Sequence, residues 1–311
     1  MIYPSFFKSK NSINLFGLKK DLFFLQKLYT SNKLPKVLML TGKKGSGKST
    51  LLNHFLFTIF DNKNYDTKDL KLLNNTPFLN LFNDNIHPNI IHLRGLDFKS
   101  VKIEDIRSLK KKILQSTISD KDRFIVLDDV EVFNRNSLNA LLKIIEEPSI
   151  KNYFLLINNK TRPLLETVKS RSTEINIFLS ETDRIHIINQ LLKLHNISPY
   201  IDPKESQLSP GNFVQFNHII TEYKISISDN LVDNIVLLLD LYKKNKDILF
   251  VNVIFFIVDF YFKNLSSGNS NIKAKNYEIK NFIFDNLNKF LLYNINQKSL
   301  INSLSNKLYY G

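Results

Sequence analysis

Residues 38–52 read LMLTGKKGSGKSTLL, and Gly42 to Ser49 hold the spacing G-x-x-x-x-G-K-[ST]. That pattern is built to grip phosphate. Glycines at 42, 45 and 47 allow positive φ angles and let backbone amides approach a ligand closely. Successive N–H groups then converge on one hollow that suits an anion. Lys48 would reach the β- and γ-phosphates of a nucleotide, and Ser49 would turn its hydroxyl to Mg²⁺. The nucleotide-binding candidates are therefore Gly42, Lys43, Lys44, Gly45, Ser46, Gly47, Lys48, Ser49 and Thr50, with ATP or ADP as ligand. A glycine turn with a chance lysine would give the same letters, but here an apolar strand, the full motif and a helix follow in the required order.

The second candidate is Asp128-Asp129, closing the apolar run Phe124 to Leu127. In P-loop proteins an acid after a buried strand helps to hold Mg²⁺. Asp128 takes that role beside Ser49. Asp129 stands where an activating carboxylate would orient the attacking water. Its reach is roughly 1.5 Å less than a glutamate's, and a misplacement of about 1 Å costs on the order of 10² in rate, so Asp129 is a doubtful base. Turns favour Asp for reasons of their own, so the pair draws its weight from the P-loop upstream.

Positioning these groups takes strands that end together. Lys36-Val-Leu-Met-Leu-Thr41, Asn89-Ile-Ile-His-Leu93, Arg123-Phe-Ile-Val-Leu-Asp128, Tyr153-Phe-Leu-Leu-Ile157 and Glu174-Ile-Asn-Ile-Phe178 read as strands. Between them, helical spacing is kept by Leu51, Leu52, Phe55 and Ile59 in a helix from about Lys48 to Phe60, and by Ile103, Ile106, Leu109, Ile113 and Leu114. It is kept again by Leu138, Leu141, Leu142 and Ile145, in a helix from Ser137 to Glu147 that Pro148 stops. Such alternation predicts an α/β fold with a parallel sheet and helices on both faces. Asp61 to Asn85 is polar and Asn-rich, with no element predicted. From about Ser180 the strands stop. Arg184 to His195 and Phe213 to Glu222 read as helices, and the chain from about Ile225 as further helices rich in Ile, Leu, Phe and Tyr, with a loop at Ser266 to Ser270. There is no internal repeat.

The 311 residues suffice for two or three domains, and 43% hydrophobic content is ordinary for a globular chain. The absence of cysteine excludes disulfides and a thiolate zinc site, and the six histidines lack metal-ligand spacing. Lys8 and Lys10 follow a short apolar patch, unlike a signal peptide, and a cytoplasmic protein is expected. The apolar run Leu249 to Phe262 is too short to span a bilayer and is interrupted by Asn252 and Asp259, so it reads as a buried helix. The net charge of +14 fits a DNA-facing surface, and equally a biased use of Lys, Asn and Ile along the chain. Lys110-Lys-Lys112 fits the solvated face of its helix.

Further residues resemble a known family. The run from Asp128 to Pro148, above all Asn139-Ala-Leu-Leu-Lys143 followed by Glu146-Glu-Pro148, is similar to bacterial clamp-loader subunits of the AAA+ class. Ser170-Arg171-Ser172 resembles their Ser-Arg-Cys motif, with serine for cysteine. Leu34 to Gly42 resembles the lead-in to their P-loop, and His87-Pro88 with the helix from Ile103 is similar to the delta-prime branch. The resemblance covers about 15–178 and is faint beyond. It implies an AAA+ nucleotide-binding domain at 1–178, a small helical lid domain at 179–224 and a C-terminal helical collar for oligomerisation at 225–311. It implies Asn159 as the sensor of the γ-phosphate and Arg171 as an arginine finger, acting in trans on the nucleotide of a neighbouring subunit. The implied partners are gamma/tau-like and delta-like loader subunits of DNA polymerase III and, through the five-membered complex, the sliding clamp and primer-template DNA. No membrane partner is expected.

Three departures matter. The four zinc-binding cysteines of many relatives are absent, so no zinc is expected. The second acid is Asp129 rather than glutamate. Ser209-Pro-Gly-Asn-Phe213 resembles the second sensor segment, with Asn212 where an arginine is usual. Loss of a fixed cation there weakens hydrolysis more than binding. The expected subunit binds nucleotide weakly or hydrolyses it inefficiently and has no polymerase active site. The intact P-loop keeps an ATP-hydrolysing motor subunit open as an alternative, and a scaffold that holds no nucleotide is another. An unrelated P-loop kinase or DNA motor would leave the Asn139 to Pro148 run and the Ser170-Arg171 pair unexplained.

Overall fold

The computed structural model describes residues 4, 7, 11–95, 101–114, 121–226, 230–265, 270–293 and 295–310. They fall into two units, 2–198 with 207–215, and 199–206 with 216–311. The first unit runs α1 (Lys19–Thr30), β1 (Val37–Thr41), α2 (Lys48–Phe60), β2 (Tyr65–Asp66), β3 (Lys71–Leu72), α3 (Pro77–Asn83), β4 (Ile90–Arg94), α4 (Ile103–Leu114), β5 (Arg123–Asp128), α5 (Arg135–Ile145), β6 (Asn152–Asn158), α6 (Glu166–Lys169), β7 (Thr173–Asn176), α7 (Glu181–His195) and the start of α8 (Pro210–Glu222).

Five of these strands form a parallel sheet in the order β4-β5-β6-β1-β7. Successive side chains on a strand alternate between faces. Leu38, Leu40, Phe124, Val126, Leu155 and Ile157 meet Leu22, Leu51 and Phe55 in one core. Val37, Met39, Ile125, Leu127, Phe154 and Leu156 meet Ile106, Leu109, Leu138 and Leu141 in the other. A layer on each face explains why β1, β5 and β6 read as unbroken apolar runs rather than alternating ones. The edge strand β7 is polar and exposed, as an unpaired edge should be.

The predicted strands and the helices at 48–60 and 103–114 are present. Lys110, Lys111 and Lys112 face solvent, and the helix predicted from Ser137 starts two residues earlier. Asn134 caps it there, its Oδ1 accepting from the Ser137 amide at 2.8 Å. The last strand ends at Asn176, short of the predicted Phe178, which is 81% exposed. The polar stretch after α2 is not featureless. β2 and β3 pair antiparallel, and α3 buries Phe78, Leu79 and Phe82, with Thr76 as its cap and Pro77 in its first turn. A few apolar residues suffice for such short elements, and the many asparagines hide them. The predicted loop at 266–270 lies outside the described residues but for Ser270, which opens a helix.

In the second unit α9 (Leu231–Asn245), α10 (Leu249–Asn264), α11 (Ser270–Tyr293) and α12 (Gln297–Tyr310) pack in succession, and α12 also packs on α9. α10 is the apolar run noted above. It buries Phe250, Val251, Val253, Ile254, Ile257, Val258 and Phe262. Gln297 Nε2 donates to Asp240 Oδ1 at 2.8 Å, tying α12 to α9. Among the described residues no helix is long and apolar enough to cross a membrane.

Candidate functional site

In a sheet of this kind ligands bind beyond the carboxyl ends of the strands, where the strand order reverses. Here that edge carries the loop after β1, Asp128 at the end of β5, Asn159 after β6 and Arg94 at the end of β4. In that loop Gly42, Gly45 and Gly47 take φ of 150°, 81° and 91°, with Gly47 as the left-handed N-cap of α2. Only glycine fits at 45: a Cβ there would lie 2.5 Å from Ser209 Oγ and 2.9 Å from the Asn212 amide nitrogen.

Those contacts belong to a clasp on the loop tip. Ser209 Oγ donates to the Lys44 carbonyl at 2.5 Å, and the Gly211 amide donates to the Gly45 carbonyl at 2.8 Å. Arg184 steadies the clasp from α7, donating to the Leu208 carbonyl at 3.0 Å while Glu181 holds the rest of its guanidinium. Asn212 therefore lies against the loop tip at Gly45, and its side chain carries no charge there.

Lys48 is buried. Its Nζ donates to the carbonyls of Gly42 at 2.8 Å and Lys43 at 2.7 Å, with Ser46 Oγ 3.4 Å away. Burial lowers its pKa to about 8, against the pull of Asp128, Glu131 and Asp129. Asp128 is pushed up to about 6, by burial first and then by the neighbouring Asp129 carboxylate. Arg94, the Asp129 amide and the Ser49 hydroxyl pull it the other way. Asp129 sits in the left-handed region at φ 56°. Its Oδ1 accepts from Asn159 Nδ2 at 2.7 Å and its Oδ2 from Arg94 Nε at 3.3 Å. Asn159 thus joins Asp129 at the cavity wall.

A cavity of about 400 Å³ gathers these groups. Residues 44–50, Arg94, Asp128, Asp129 and Asn159 form its polar wall, and Leu15, Phe16, Leu18, Ile187, Leu191 and Val214 its apolar wall. The size suits a nucleotide-scale ligand. Lys43 contributes its carbonyl while its side chain is exposed. Among the described residues no cluster of three His, Cys, Asp or Glu side chains could hold a metal alone. Among the hard oxygen donors of the cavity wall, the Ser49 hydroxyl and the Asp128 carboxylate are hydrogen-bonded to each other. They fit Mg²⁺ whose remaining ligands are phosphate and water.

Arg171 does not line the cavity. It lies at the protein surface with its side chain 36% exposed. Its Nε and Nη2 reach Glu146 Oε1 at 2.8 and 2.6 Å, and its Nη1 donates to the Thr167 carbonyl at 3.0 Å. Sequence reasoning missed Arg94, which the parallel register sets opposite Asp128. It also missed the segment around Leu15 to Leu18. The signal for Arg94 was a basic residue directly after the run Asn89 to Leu93.

The sequence family described as DNA polymerase III, delta subunit matches residues 18–180, just over half of the chain. The DNA polymerase III subunit delta' of Buchnera aphidicola subsp. Schizaphis graminum is 27% identical over 199 residues, 61% of this chain and 60% of that protein. The DNA polymerase III subunit tau/gamma of Haemophilus influenzae is 30% identical over 162 residues, 49% of this chain and 23% of that protein. The chain therefore spans less than two thirds of the length of either relative. A DNA polymerase III gamma subunit-related protein from Thermotoga maritima shares the fold, with a TM-score of 0.51 at 14% identity over 91% of this chain and 98% of its own. With the P-loop, the paired aspartates and the run to Pro148 all inside the matched span, the chain belongs to the DNA polymerase III delta subunit family, of the clamp-loader AAA+ class that its motifs resemble.

Proposed function

We propose that this chain is a delta-prime-like subunit of a clamp loader that binds ATP or ADP in the P-loop cavity, hydrolyses it poorly and lends Arg171 to a neighbouring subunit. The observation that carries this reading is the separation of two cations. Lys48 is buried among the loop carbonyls of the cavity, while Arg171 stands at the surface, away from that cavity, held by Glu146 and one carbonyl.

The loop amides and Lys48 would bind the phosphates, Lys48 exchanging its carbonyl partners for phosphate oxygens. Ser49 and Asp128 would hold Mg²⁺, which supplies charge neutralisation when bound. Two features support weak hydrolysis. Both oxygens of Asp129 already accept hydrogen bonds, from Arg94 and Asn159, which leaves it poorly prepared to take a proton from water. Asn212 brings an amide to the wall next to Gly45, where the second sensor segment it resembles would bring a cation. Asn159 would sense the γ-phosphate from its place beside Asp129. The helices of 179–224 would serve as lid and those of 225–311 as collar. The partners are gamma/tau-like and delta-like subunits, and through them the sliding clamp and primer-template DNA.

The test is co-purification with the other loader subunits, then ATPase assay with and without clamp and primed DNA. Arg171→Ala should fold and bind nucleotide as the wild type does, yet lower the ATPase of the assembled loader, since a finger in trans is worth about 10³ to 10⁵ in rate. Full DNA-stimulated activity in Arg171→Ala complexes would overturn the trans role. Brisk hydrolysis by the isolated chain, abolished by Lys48→Ala, would overturn the weak-ATPase reading.

A further inference from the structure

Arg94 leaves the end of β4 with its Nε 3.3 Å from Asp129 Oδ2 and 3.7 Å from Asp128 Oδ2. The backbone fixes this placement. Arg94 pairs with Asp128 in the parallel ladder, and the Gly95 amide donates to the Asp128 carbonyl at 2.9 Å. The turn that follows Asp129 packs so closely that a Cβ at Gly95 would lie 2.5 Å from Val132 Cγ2. Arg94 therefore shares the cavity wall with Asp128, the carboxylate that would hold a divalent cation, and with the Asp129 carboxylate beside it.

We propose that Arg94 is a resident counter-ion for Asp128 and Asp129, and that it makes the nucleotide affinity of this chain nearly independent of Mg²⁺. The proposal rests on the nucleotide-binding reading above. A cation at hydrogen-bonding distance from one carboxylate and close to the other cancels much of the negative potential that draws Mg²⁺ to such a pair, and it repels a second cation placed between them. Arg94 also lines the cavity, and arginine is a strong donor to phosphate oxygens. It supplies from the sheet a positive charge that Asn212 does not supply from the clasp.

The experiment uses the full chain as wild type, Arg94→Ala and Arg94→Gln. The Arg94 side chain is 54% exposed, so both variants should fold. A fluorescent ATP analogue is titrated in Mg²⁺ and in EDTA, and Mn²⁺ is titrated without nucleotide and followed by electron paramagnetic resonance. Removal of Mg²⁺ should change wild-type affinity less than about threefold and weaken binding by both variants about tenfold or more, and the variants should bind Mn²⁺ about tenfold more tightly than the wild type. A wild type that loses about tenfold in EDTA, or variants that match the wild type for Mn²⁺, would overturn the proposal. If no chain binds the analogue, the nucleotide reading fails, and the Mn²⁺ comparison still decides the role of Arg94.

Discussion

Replacing Lys48 by methionine should change how stability depends on pH, by an amount that the geometry sets. Lys48 is 2% exposed and its ammonium sits among loop carbonyls. Its burial outweighs the three nearby carboxylates, and the pKa falls from 10.5 to about 8. Between those values the unfolded chain keeps a proton that the folded chain has released. The unfolded state then binds more protons, so wild-type stability rises with pH across this window. A shift of this size amounts to about 3 kcal/mol when the window is crossed completely, of which about 2 kcal/mol is gained between pH 7 and pH 9.5. Lys48→Met lacks this increment. At pH 7 the substitution removes a penalty of about 3 kcal/mol and deprives two carbonyls of a donor at about 1 kcal/mol each, so the variant should be about 1 kcal/mol more stable. It should also lose nucleotide binding. The assay is urea denaturation of both chains at pH 7 and pH 9.5, with matched slopes. Parallel movement of the two midpoints would show that the ammonium is not desolvated as described and would refute the reasoning.

Asp128 carries the opposite sign: its folded pKa is raised from 3.8 to about 6, so the folded state holds a proton that the unfolded state has released, and stability falls as pH rises through that window. Relative to Asp128→Asn, the wild type should lose about 2 kcal/mol between pH 4 and 6, and a difference between the two chains that stays constant with pH would contradict this. Gly45→Ala meets both the left-handed backbone and the clasp, at 2.5 Å from Ser209 Oγ, and should cost about 2 to 3 kcal/mol in urea denaturation, whereas an unchanged midpoint would show that the clasp is loose.

What could be read in the sequence was local, and what could not was a matter of register. The P-loop, its strand and its helix lie within twenty-odd residues, so spacing alone places Lys48 and Ser49. Asp128 was legible because a buried strand announces its own end. Arg94 was not, since its meaning depends on β4 lying beside β5 with residue 94 opposite residue 128. The clasp from Ser209 and Gly211 onto Lys44 and Gly45 was hidden for the same reason. Arg171 shows both sides. Its motif and the Glu146-Glu-Pro148 motif were separate strings in the sequence, and the fold joins them in one ion pair of 2.6 Å between half-exposed partners. Pairs so open to solvent are worth only about 0 to 1 kcal/mol. Glu146 and the Thr167 carbonyl therefore hold the guanidinium at the surface without holding it tightly, and the role in trans proposed above needs only that a phosphate, a stronger and doubly accepting anion, outcompete them.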